Sequence, residues 1–205
     1  MKYQTVLFDF DGVLCRDRFY EKTLLLENED VYQWIQENIF GNQDLVREWM
    51  RGKISWKQIN KIISDNTGFD WEQLNQLFVS SVIKMEIDHK IKQLAQEIKD
   101  LGIKVAIVTD NMDIFSEVTV SNHNLNKIFD EILNSADYGL LKKDDDGQLF
   151  EVVLKKLNCD IKNSLLIDDS ESTIDFYRNK GGDGFHYQNF SDLKTWLATF
   201  RKPIL

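Results

Sequence analysis

Short apolar runs and segments with helical periodicity alternate along much of this chain. The apolar runs lie at residues 6–8, 103–108, 132–133 and 165–167, and a last short one surrounds Phe185. Runs this short and this uniformly apolar predict strands that are buried on both faces of a parallel sheet and covered by helices. Their alternation with helical segments predicts repeated βαβ units in the later part of the chain.

Polar residues mark where several of the predicted helices begin. Ser55, followed three residues later by Gln58, predicts a capping box. Asp70 and Asp88 each stand immediately before a segment of helical periodicity and predict further N-terminal caps. Ser191 predicts the cap of the last helix, which carries Leu193, Trp196, Leu197 and Phe200.

Residues 16–86 contain several helical faces and no segment that resembles a strand. Four of the five tryptophans lie here and could line a substrate pocket, but their helical spacing favours packing in the core, with Trp71 on the inner side of its helix. We therefore predict an α/β protein with a doubly wound, Rossmann-like parallel sheet. Its core domain comprises residues 1–15 and 87–205, and an all-helical domain, the helical insertion, comprises residues 16–86.

The composition is that of a globular protein. The chain has 205 residues, 42% of them hydrophobic and 12% aromatic, which is enough for one core and a smaller second domain. No apolar run approaches the ~18 residues of a membrane helix. The first predicted strand follows Met1 closely and leaves no space for a signal peptide, which favours a cytoplasmic location. Cys15 and Cys159 lack metal-ligand spacing and are interpreted as reduced thiols.

The net charge of −9 changes which partners are plausible. Nucleic acids and anionic membranes both require a basic face, so neither is an expected partner. An acidic protein can still bind a small anion if a local positive charge is present, and a bound divalent cation supplies one.

The first candidate site follows the first apolar run. Asp9 and Asp11 come after that run, separated by Phe10, and Gly12 allows a sharp turn directly after them. An ionised Asp9 in a buried strand requires a compensating cation, either a distant side chain or a metal ion. The alternative is a strand that simply ends in two solvated aspartates before an Asp-Gly turn.

Two further polar clusters favour the site over the simple turn. The second strand ends in Thr109-Asp110-Asn111, another ends in Asp168-Asp169, and Lys142-Lys143 follows the strand between them. The carboxyl ends of parallel strands share one edge of the sheet, where ligands bind. Several carboxylates at that edge repel one another unless a hard cation lies among them, and ligation by oxygen alone selects Mg²⁺ over Zn²⁺.

These four motifs resemble those of the haloacid dehalogenase superfamily of phosphatases and phosphomutases. The first motif corresponds to LFDFDGVL, the second to VAIVTDN, the third to the region of Lys142 and the fourth to LLIDDS. The helical insertion is placed like the C1 cap of that family. The resemblance covers essentially the whole chain.

The resemblance implies roles for the carboxylates. Asp9 would be the nucleophile that forms an aspartyl-phosphate. Asp11 would protonate the leaving oxygen and then activate water. Mg²⁺ would be held by Asp9, the backbone carbonyl of Asp11 and Asp169, and Asp168 would be a ligand either directly or through water.

The resemblance also implies a phosphate-binding set. Thr109 and the backbone N–H of Asp110 would hold phosphoryl oxygens, with Gly12 and Asn111 in the same set. Lys142 would neutralise charge on the nucleophile and the phosphoryl group.

The sequence departs from the family pattern after that lysine. The family usually has Pro-Asp-Pro there, whereas this chain has Lys143 and the acidic residues 144–146. Family spacing from Gly139 favours Lys142 as the motif lysine, and Lys143 remains an alternative. We interpret residues 144–146 as a solvated acidic turn.

The implied function is a Mg²⁺-dependent phosphomonoesterase that acts on a small phosphorylated metabolite, a sugar phosphate or a similar compound. Family members that displace halide usually lack an aspartate at the position of Asp11, which therefore points to phosphoryl transfer. The alternatives are a phosphomutase with the same motifs and a binding or regulatory module without turnover. Candidate specificity residues in the helical insertion are Trp49, Arg51, Lys53 and Trp56.

Overall fold

The computed structural model describes residues 2–24 and 28–199, so Phe200, which was predicted to lie on the last helix, is outside the described residues. It contains one five-stranded parallel sheet with the order β3-β2-β1-β4-β5. The strands are β1 (Thr5–Phe8), β2 (Lys104–Thr109), β3 (Glu131–Asn134), β4 (Ser164–Asp168) and β5 (Asp183–His186). Helices cover the sheet, and the predicted doubly wound α/β fold is confirmed.

The strand order places a topological switch point at β1. The chain moves outward from β1 to β2 and β3, then returns to the other side of β1 for β4 and β5. Phe8 at the end of β1 pairs in register with Ile107 of β2 and Ile167 of β4. The carboxyl ends of the three central strands therefore lie side by side, where open parallel sheets form their ligand crevice.

Ten α-helical segments are present in the described residues. They are α1 (Glu29–Ile35), α2 (Gln43–Met50), α3 (Trp56–Thr67), α4 (Trp71–Ile83), α5 (His89–Asp100), α6 (Val120–Asn122), α7 (Ser135–Tyr138), α8 (Gln148–Lys156), α9 (Glu171–Asn179) and α10 (Phe190–Ala198). Two π-helical turns continue or precede them, Gln36–Phe40 after α1 and Phe115–Thr119 before α6. None of the helices in the described ranges combines the length and apolar composition needed to span a membrane.

Three of the predicted helix caps are present and one is wrong. Ser55 and Gln58 form the capping box at α3, and the side chains of Asp70 and Asp88 accept N-terminal backbone N–H groups of α4 and α5. At α10 the cap is Asn189, whose Oδ1 accepts the N–H of Asp192, and not Ser191. The backbone of Asn189 is extended, as is typical of an N-cap residue, and the helix begins at Phe190, so Ser191 already lies inside it.

The sheet has a hydrophobic layer on each face. On one face, side chains such as Leu7 and Val108 pack against α8 and α9. On the other, Phe8 and Phe10 belong to a larger cluster that extends without a break into the helical insertion and includes Phe78 of α4. The insertion therefore packs directly on the core at the end of the sheet where the polar motifs lie.

The tryptophans of the helical insertion have different environments. Trp49 is fully buried and stacks near Phe40, and Trp56 is 7% exposed. Trp34 is half-buried against the same cluster. Trp71 is 37% exposed, so its predicted inward position is wrong. Its ring instead lies over the start of α3, where its Nε1–H donates to the backbone oxygen of Lys57 at 3.4 Å.

Candidate active site

Three carboxylates from two strand ends meet at the switch point. Asp9 follows β1, Asp168 ends β4 and Asp169 follows it, and ligand-type oxygens of all three lie within 4.8 Å of one another. Asp9 is 6% exposed and Asp168 is fully buried, whereas Asp169 is exposed at the edge. The register of β1 with β4 produces this grouping, because Phe8 and Ile167 are paired neighbours.

The Lys142 side chain lies between two of these carboxylates. Its Nζ donates to Asp9 Oδ2 at 2.7 Å and to Asp168 Oδ2 at 2.7 Å. Its backbone N–H donates to Asp110 Oδ1 at 2.7 Å, so the residue after Thr109 fixes the loop that carries the lysine. Burial alone would lower the pKa of Lys142, but Asp9, Asp168 and Asp110 together raise it above its ordinary value. The lysine is therefore a fixed positive charge in the site.

Lys143 has a different environment. Its side chain is exposed and its Nζ donates to Ser172 Oγ at 3.0 Å, at the start of α9. The structure thus brings Lys142, and not Lys143, to the carboxylates. This placement agrees with the spacing from Gly139.

Asp11 lies in the loop after β1 and its carboxylate is held from one side. Asn111 Nδ2 donates to Asp11 Oδ2 at 3.0 Å. Burial raises the pKa of Asp11 to about 6, although the positive charges of Lys142 and Arg18 oppose the shift. A carboxyl group with such a pKa can exist in both protonation states near neutral pH, as a group that gives and takes a proton requires.

Gly12 brings the same loop against Asp169. Its backbone is in the left-handed region at φ +73°. A Cβ at this position would lie 2.0 Å from Asp169 Oδ2 and 2.3 Å from its Cγ. Glycine is needed for both the backbone angle and this close approach.

Thr109 and Asn111 occupy the end of β2. Thr109 is fully buried and its hydroxyl has no hydrogen-bond partner. The backbone N–H of Asn111 donates to Ser135 Oγ at 3.0 Å, and Asn111 Oδ1 accepts the N–H of Met112 at 2.8 Å. An orphaned buried hydroxyl at the end of β2, the strand next to β1, suits an anionic oxygen bound at this edge of the sheet.

The donor set fits a hard divalent cation. Asp9, Asp168, Asp169 and Lys142 carry a net charge of −2 when all four are ionised, three negative and one positive. All the available ligand atoms are oxygens, which suits Mg²⁺. Asp168 already accepts from Lys142 Nζ on Oδ2 and from the N–H of Ser170 on Oδ1 at 2.8 Å. Asp9 is engaged in the same way, by Lys142 Nζ on Oδ2 and by the N–H of Phe10 on Oδ1 at 2.7 Å, whereas Asp169 is exposed at the edge.

A cavity of about 250 Å³ opens beside Asp11, between the core and the helical insertion. The core contributes Asp11, Asp110 and Met112 to its lining. The insertion and its second junction with the core contribute Asp17, Arg18, Phe19, Gln36, Phe40, Val46, Met50 and Met85. The cavity could accommodate the body of a small ligand whose reacting end lies at the carboxylates.

None of the four specificity candidates from the sequence lines this cavity. Trp49 Nε1–H donates to Asp113 Oδ1 at 2.9 Å, and Trp56 Nε1–H donates to Glu117 Oε2 at 2.9 Å. Lys53 is on the surface, 3.9 Å from Glu48. Trp49 and Trp56 thus form hydrogen bonds between the helical insertion and the segment after β2, and Lys53 faces solvent.

The fourth candidate, Arg51, pairs with the loop that carries Lys142. Its Nε and one terminal nitrogen donate to the two oxygens of Asp144 at 2.7 and 2.8 Å. Asp144 Oδ2 also accepts the N–H of Leu141 at 3.0 Å. The prediction of a solvated acidic turn is therefore wrong for Asp144, since a distant arginine reaches it. Asp145 and Asp146 are exposed.

A residue outside every sequence motif also reaches the site. His186, at the end of β5, has Nε2 2.9 Å from the backbone oxygen of Asp169. The pairing of Asp168 with His186 in the β4–β5 register places it there. The only sequence signal was its position at the end of a predicted strand.

One protein family matches most of the chain. The model of the haloacid dehalogenase-like hydrolases matches residues 3–179. No curated protein matches the sequence.

Solved structures share the fold at low sequence identity. A HAD-like family hydrolase from Porphyromonas gingivalis superposes with a TM-score of 0.74 at 15% identity, over 97% of this chain and 98% of that one. A mutant HAD family enzyme from Bacteroides thetaiotaomicron, in complex with magnesium and inorganic phosphate, gives 0.71 at 17%, over 93% and 98%. The L-2-haloacid dehalogenase from Xanthobacter autotrophicus, with chloropropionic acid covalently bound, gives 0.66 at 14%, over 89% and 76%. The ligands in the last two of these structures thus differ.

Proposed function

Because the chain belongs to the haloacid dehalogenase-like hydrolases, we propose that it is a Mg²⁺-dependent phosphomonoesterase of a small phosphorylated metabolite. The observation that carries this proposal is Asp11. Its carboxyl group is held by Asn111 at 3.0 Å, and burial raises its pKa to about 6. Hydrolysis of an alkyl phosphate ester requires a proton for the departing oxygen, whereas displacement of halide does not.

In the first half-reaction, a carboxylate oxygen of Asp9 attacks phosphorus and forms an aspartyl-phosphate as the ester oxygen departs. Asp11 gives its proton to that oxygen, so the alcohol leaves neutral. The ammonium of Lys142, 2.7 Å from Asp9 Oδ2, offsets negative charge on the phosphoryl group, and the free hydroxyl of Thr109 donates to one of its oxygens.

In the second half-reaction, Asp11 is ionised and takes a proton from water, which attacks the phosphorus of the aspartyl-phosphate. Phosphate departs and the carboxylate of Asp9 is restored. Mg²⁺, held by Asp9, Asp169 and the backbone carbonyl of Asp11, would supply further positive charge for the transferring phosphoryl group. Asp168 would hold Lys142 and would assist in holding the metal, directly or through water.

The direct test of the proposal is a comparison of two reactions. Purified protein is assayed with p-nitrophenyl phosphate and with 2-chloropropionate, in Mg²⁺ and in EDTA. Release of p-nitrophenol that depends on Mg²⁺, without chloride release, is the expected result. Chloride release without phosphatase activity would instead assign the protein to the dehalogenating branch.

The substitution Asp11→Asn should separate the two half-reactions. The asparagine cannot donate a proton, so phosphorylation of the enzyme by alkyl phosphates should slow by about 100-fold or more. The rate of phosphorylation by aryl phosphates should fall less, since phenolate leaves without a proton. The phosphoenzyme formed from them should persist, because the variant lacks the base that activates water. Single-turnover mixing with an aryl and an alkyl ester measures both steps. Asp145→Asn, a change at an exposed carboxylate, is the control. Equal losses on both esters without accumulated phosphoenzyme would remove the acid–base role from Asp11.

The two carboxylates of the fourth motif should respond differently to Mg²⁺. Asp169→Ala removes an open ligand and should raise the Mg²⁺ concentration for half-maximal activity by at least about 10-fold. Asp168→Ala removes a partner of Lys142, so it should lower both activity and thermal stability with a smaller change in Mg²⁺ requirement. Mg²⁺ titrations of activity and of the melting temperature check this. An unchanged requirement in both variants would place the metal elsewhere.

A further inference from the structure

The turn that follows Lys142 has an unfavourable backbone. Asp145 and Asp146 have φ angles of +46° and +58°, and Gly147 follows at +85°. Residues other than glycine rarely adopt this left-handed region, and two in succession keep it only when contacts from elsewhere hold them there. Residues 141–147 also contain no proline, which would restrict the backbone by itself. The conformation of this turn therefore depends on side chains that hold it.

Asp144 holds the start of the turn. Its Oδ2 accepts the N–H of Leu141 at 3.0 Å, and its own N–H donates to the backbone oxygen of Leu141 at 3.0 Å. The next residue is Lys142, whose Nζ lies 2.7 Å from Asp9 Oδ2. The side chain of Asp144 therefore fixes the backbone one residue before the lysine.

Arg51 of the helical insertion fixes the orientation of Asp144. Its Nε and one terminal nitrogen donate to the two oxygens of that carboxylate at 2.7 and 2.8 Å. A planar guanidinium that meets both oxygens restricts a carboxylate more than a single hydrogen bond does. Arg51 also holds the pKa of Asp144 below its usual value, so the pair stays ionised at neutral pH.

The backbone on both sides of Arg51 is docked on the core. The backbone oxygen of Met50 accepts from Ser135 Oγ at 2.6 Å. A Cβ on Gly52 would lie 2.3 Å from the backbone oxygen of Ala136, so the two chains approach closely there. The guanidinium thus extends from a fixed backbone, and its contact with Asp144 depends on how the insertion sits on the core.

A second basic residue holds the same turn at another point. Lys180, which follows α9, forms an ion pair with Asp146. Within the described ranges Asp146 makes no hydrogen bond to Leu141 or Lys142. The two ion pairs are therefore alike in kind, and only the pair of Arg51 reaches the backbone next to the lysine.

We propose that Arg51 is a positioning residue for Lys142 and acts through Asp144 and the N–H of Leu141. The inference rests on the proposed phosphatase function and adds a role for the helical insertion in its chemical step. The ammonium of Lys142 is in place only while the insertion is docked and Arg51 holds the turn. Electrostatic stabilisation depends on such fixed geometry, and a misplacement of about 1 Å can lower a rate by about 100-fold.

Steady-state kinetics with p-nitrophenyl phosphate at saturating Mg²⁺ give the first test. Arg51→Met removes both hydrogen bonds to Asp144 and should lower kcat by about 10- to 100-fold, with KM changed by less than about 3-fold. Arg51→Lys keeps the charge without the planar fork and should recover part of kcat. Lys180→Met and Arg47→Met, a change at an exposed arginine of α2, are the controls and should keep kcat.

A double variant tests the route through Asp144. Asp144→Ala removes the acceptor of the Leu141 N–H and should lower kcat at least as much as Arg51→Met. If Arg51 acts through this carboxylate, the double variant Arg51→Met/Asp144→Ala should have the kcat of Asp144→Ala alone. Losses that multiply would give Arg51 a separate role.

Amide hydrogen exchange without substrate tests the positioning directly. In Arg51→Met, exchange at Leu141 and Lys142 should rise by about 10-fold or more relative to Leu166 in the middle of β4. A contact that only adds global stability would not raise this ratio, because global unfolding exposes Leu166 as well. Lys180→Met should leave the ratio unchanged. Arg51→Lys should give a smaller rise, and it supplies the measurement if Arg51→Met does not fold.

The outcomes separate this inference from the proposed function. An unchanged kcat in Arg51→Met, a rise in KM alone, losses that multiply in the double variant, or an unchanged exchange ratio overturns the positioning role while phosphatase activity stands. Failure of the unmodified protein to hydrolyse p-nitrophenyl phosphate overturns the proposed function, and the exchange ratio then still decides whether Arg51 orders the turn that carries Lys142.

Discussion

Replacing Asp9 by asparagine should abolish turnover of aryl and alkyl phosphates alike, with a loss of kcat of about 10⁴-fold or more. An amide oxygen is a very poor nucleophile and a weaker ligand for Mg²⁺. The shape of the side chain is kept, and its oxygen can still accept from the N–H of Phe10, which lies 2.7 Å from Asp9 Oδ1. The amide nitrogen would then face Lys142 Nζ, which keeps Asp168 as its partner. The melting temperature is therefore measured beside kcat, to separate a chemical loss from a loss of fold.

Intact-protein mass spectrometry tests the same prediction by detecting the aspartyl-phosphate intermediate. After rapid acid quenching with substrate present, unmodified protein should carry one phosphoryl group on a fraction of the molecules, and the Asp9→Asn variant none. The exposed Asp145 supplies a matched Asp→Asn control that should behave as the unmodified protein. A phosphorylated Asp9→Asn variant would move the nucleophile to another residue.

The second large effect is expected at Lys142. Lys142→Ala should lower kcat by about 10³-fold, because it removes the fixed charge beside the nucleophile. It should also destabilise the fold by about 3–5 kcal/mol, since Asp9 and Asp168 are left buried without their cation. Added Mg²⁺ should recover part of the stability and little of the activity.

Lys143→Ala is the matched control for this variant. Lys143 is exposed and its Nζ donates to Ser172 Oγ at the start of α9, so its loss should change kcat and stability little. Urea unfolding with and without Mg²⁺ and steady-state kinetics measure both quantities. Similar small losses in the two variants would mean that neither lysine is part of the catalytic group.

The sequence predicts the sheet and the grouping of the polar strand ends for a definite physical reason. Buried parallel strands must be continuously apolar, so a carboxylate directly after such a run is conspicuous, as with Asp9 and Asp168. In a doubly wound sheet the ends of neighbouring strands share one edge, which brings these residues together without knowledge of any side-chain contact. Caps such as Ser55 are equally local, because the partner lies three residues away.

The contacts between the helical insertion and the core could not be predicted in this way. Arg51 and Asp144 are separated by 93 positions, and each alone is an ordinary charged residue near a turn. Trp49 and Asp113 are likewise 64 positions apart. The orientation of an inserted domain decides such pairs, and hydrophobic periodicity carries no information on it.

The close approach of Gly12 to Asp169 limits how this protein can diverge. Any side chain at position 12 would meet a carboxylate at 2.0 Å, so a library of substitutions there should yield almost no active members. The cavity residues of the helical insertion are under no such constraint, since Val46 or Met50 can change size while the strand ends stay as they are. Mutations in the helical insertion can therefore change which substrate is accepted, while the residues at the strand ends of the core, which carry out the chemical step, stay the same.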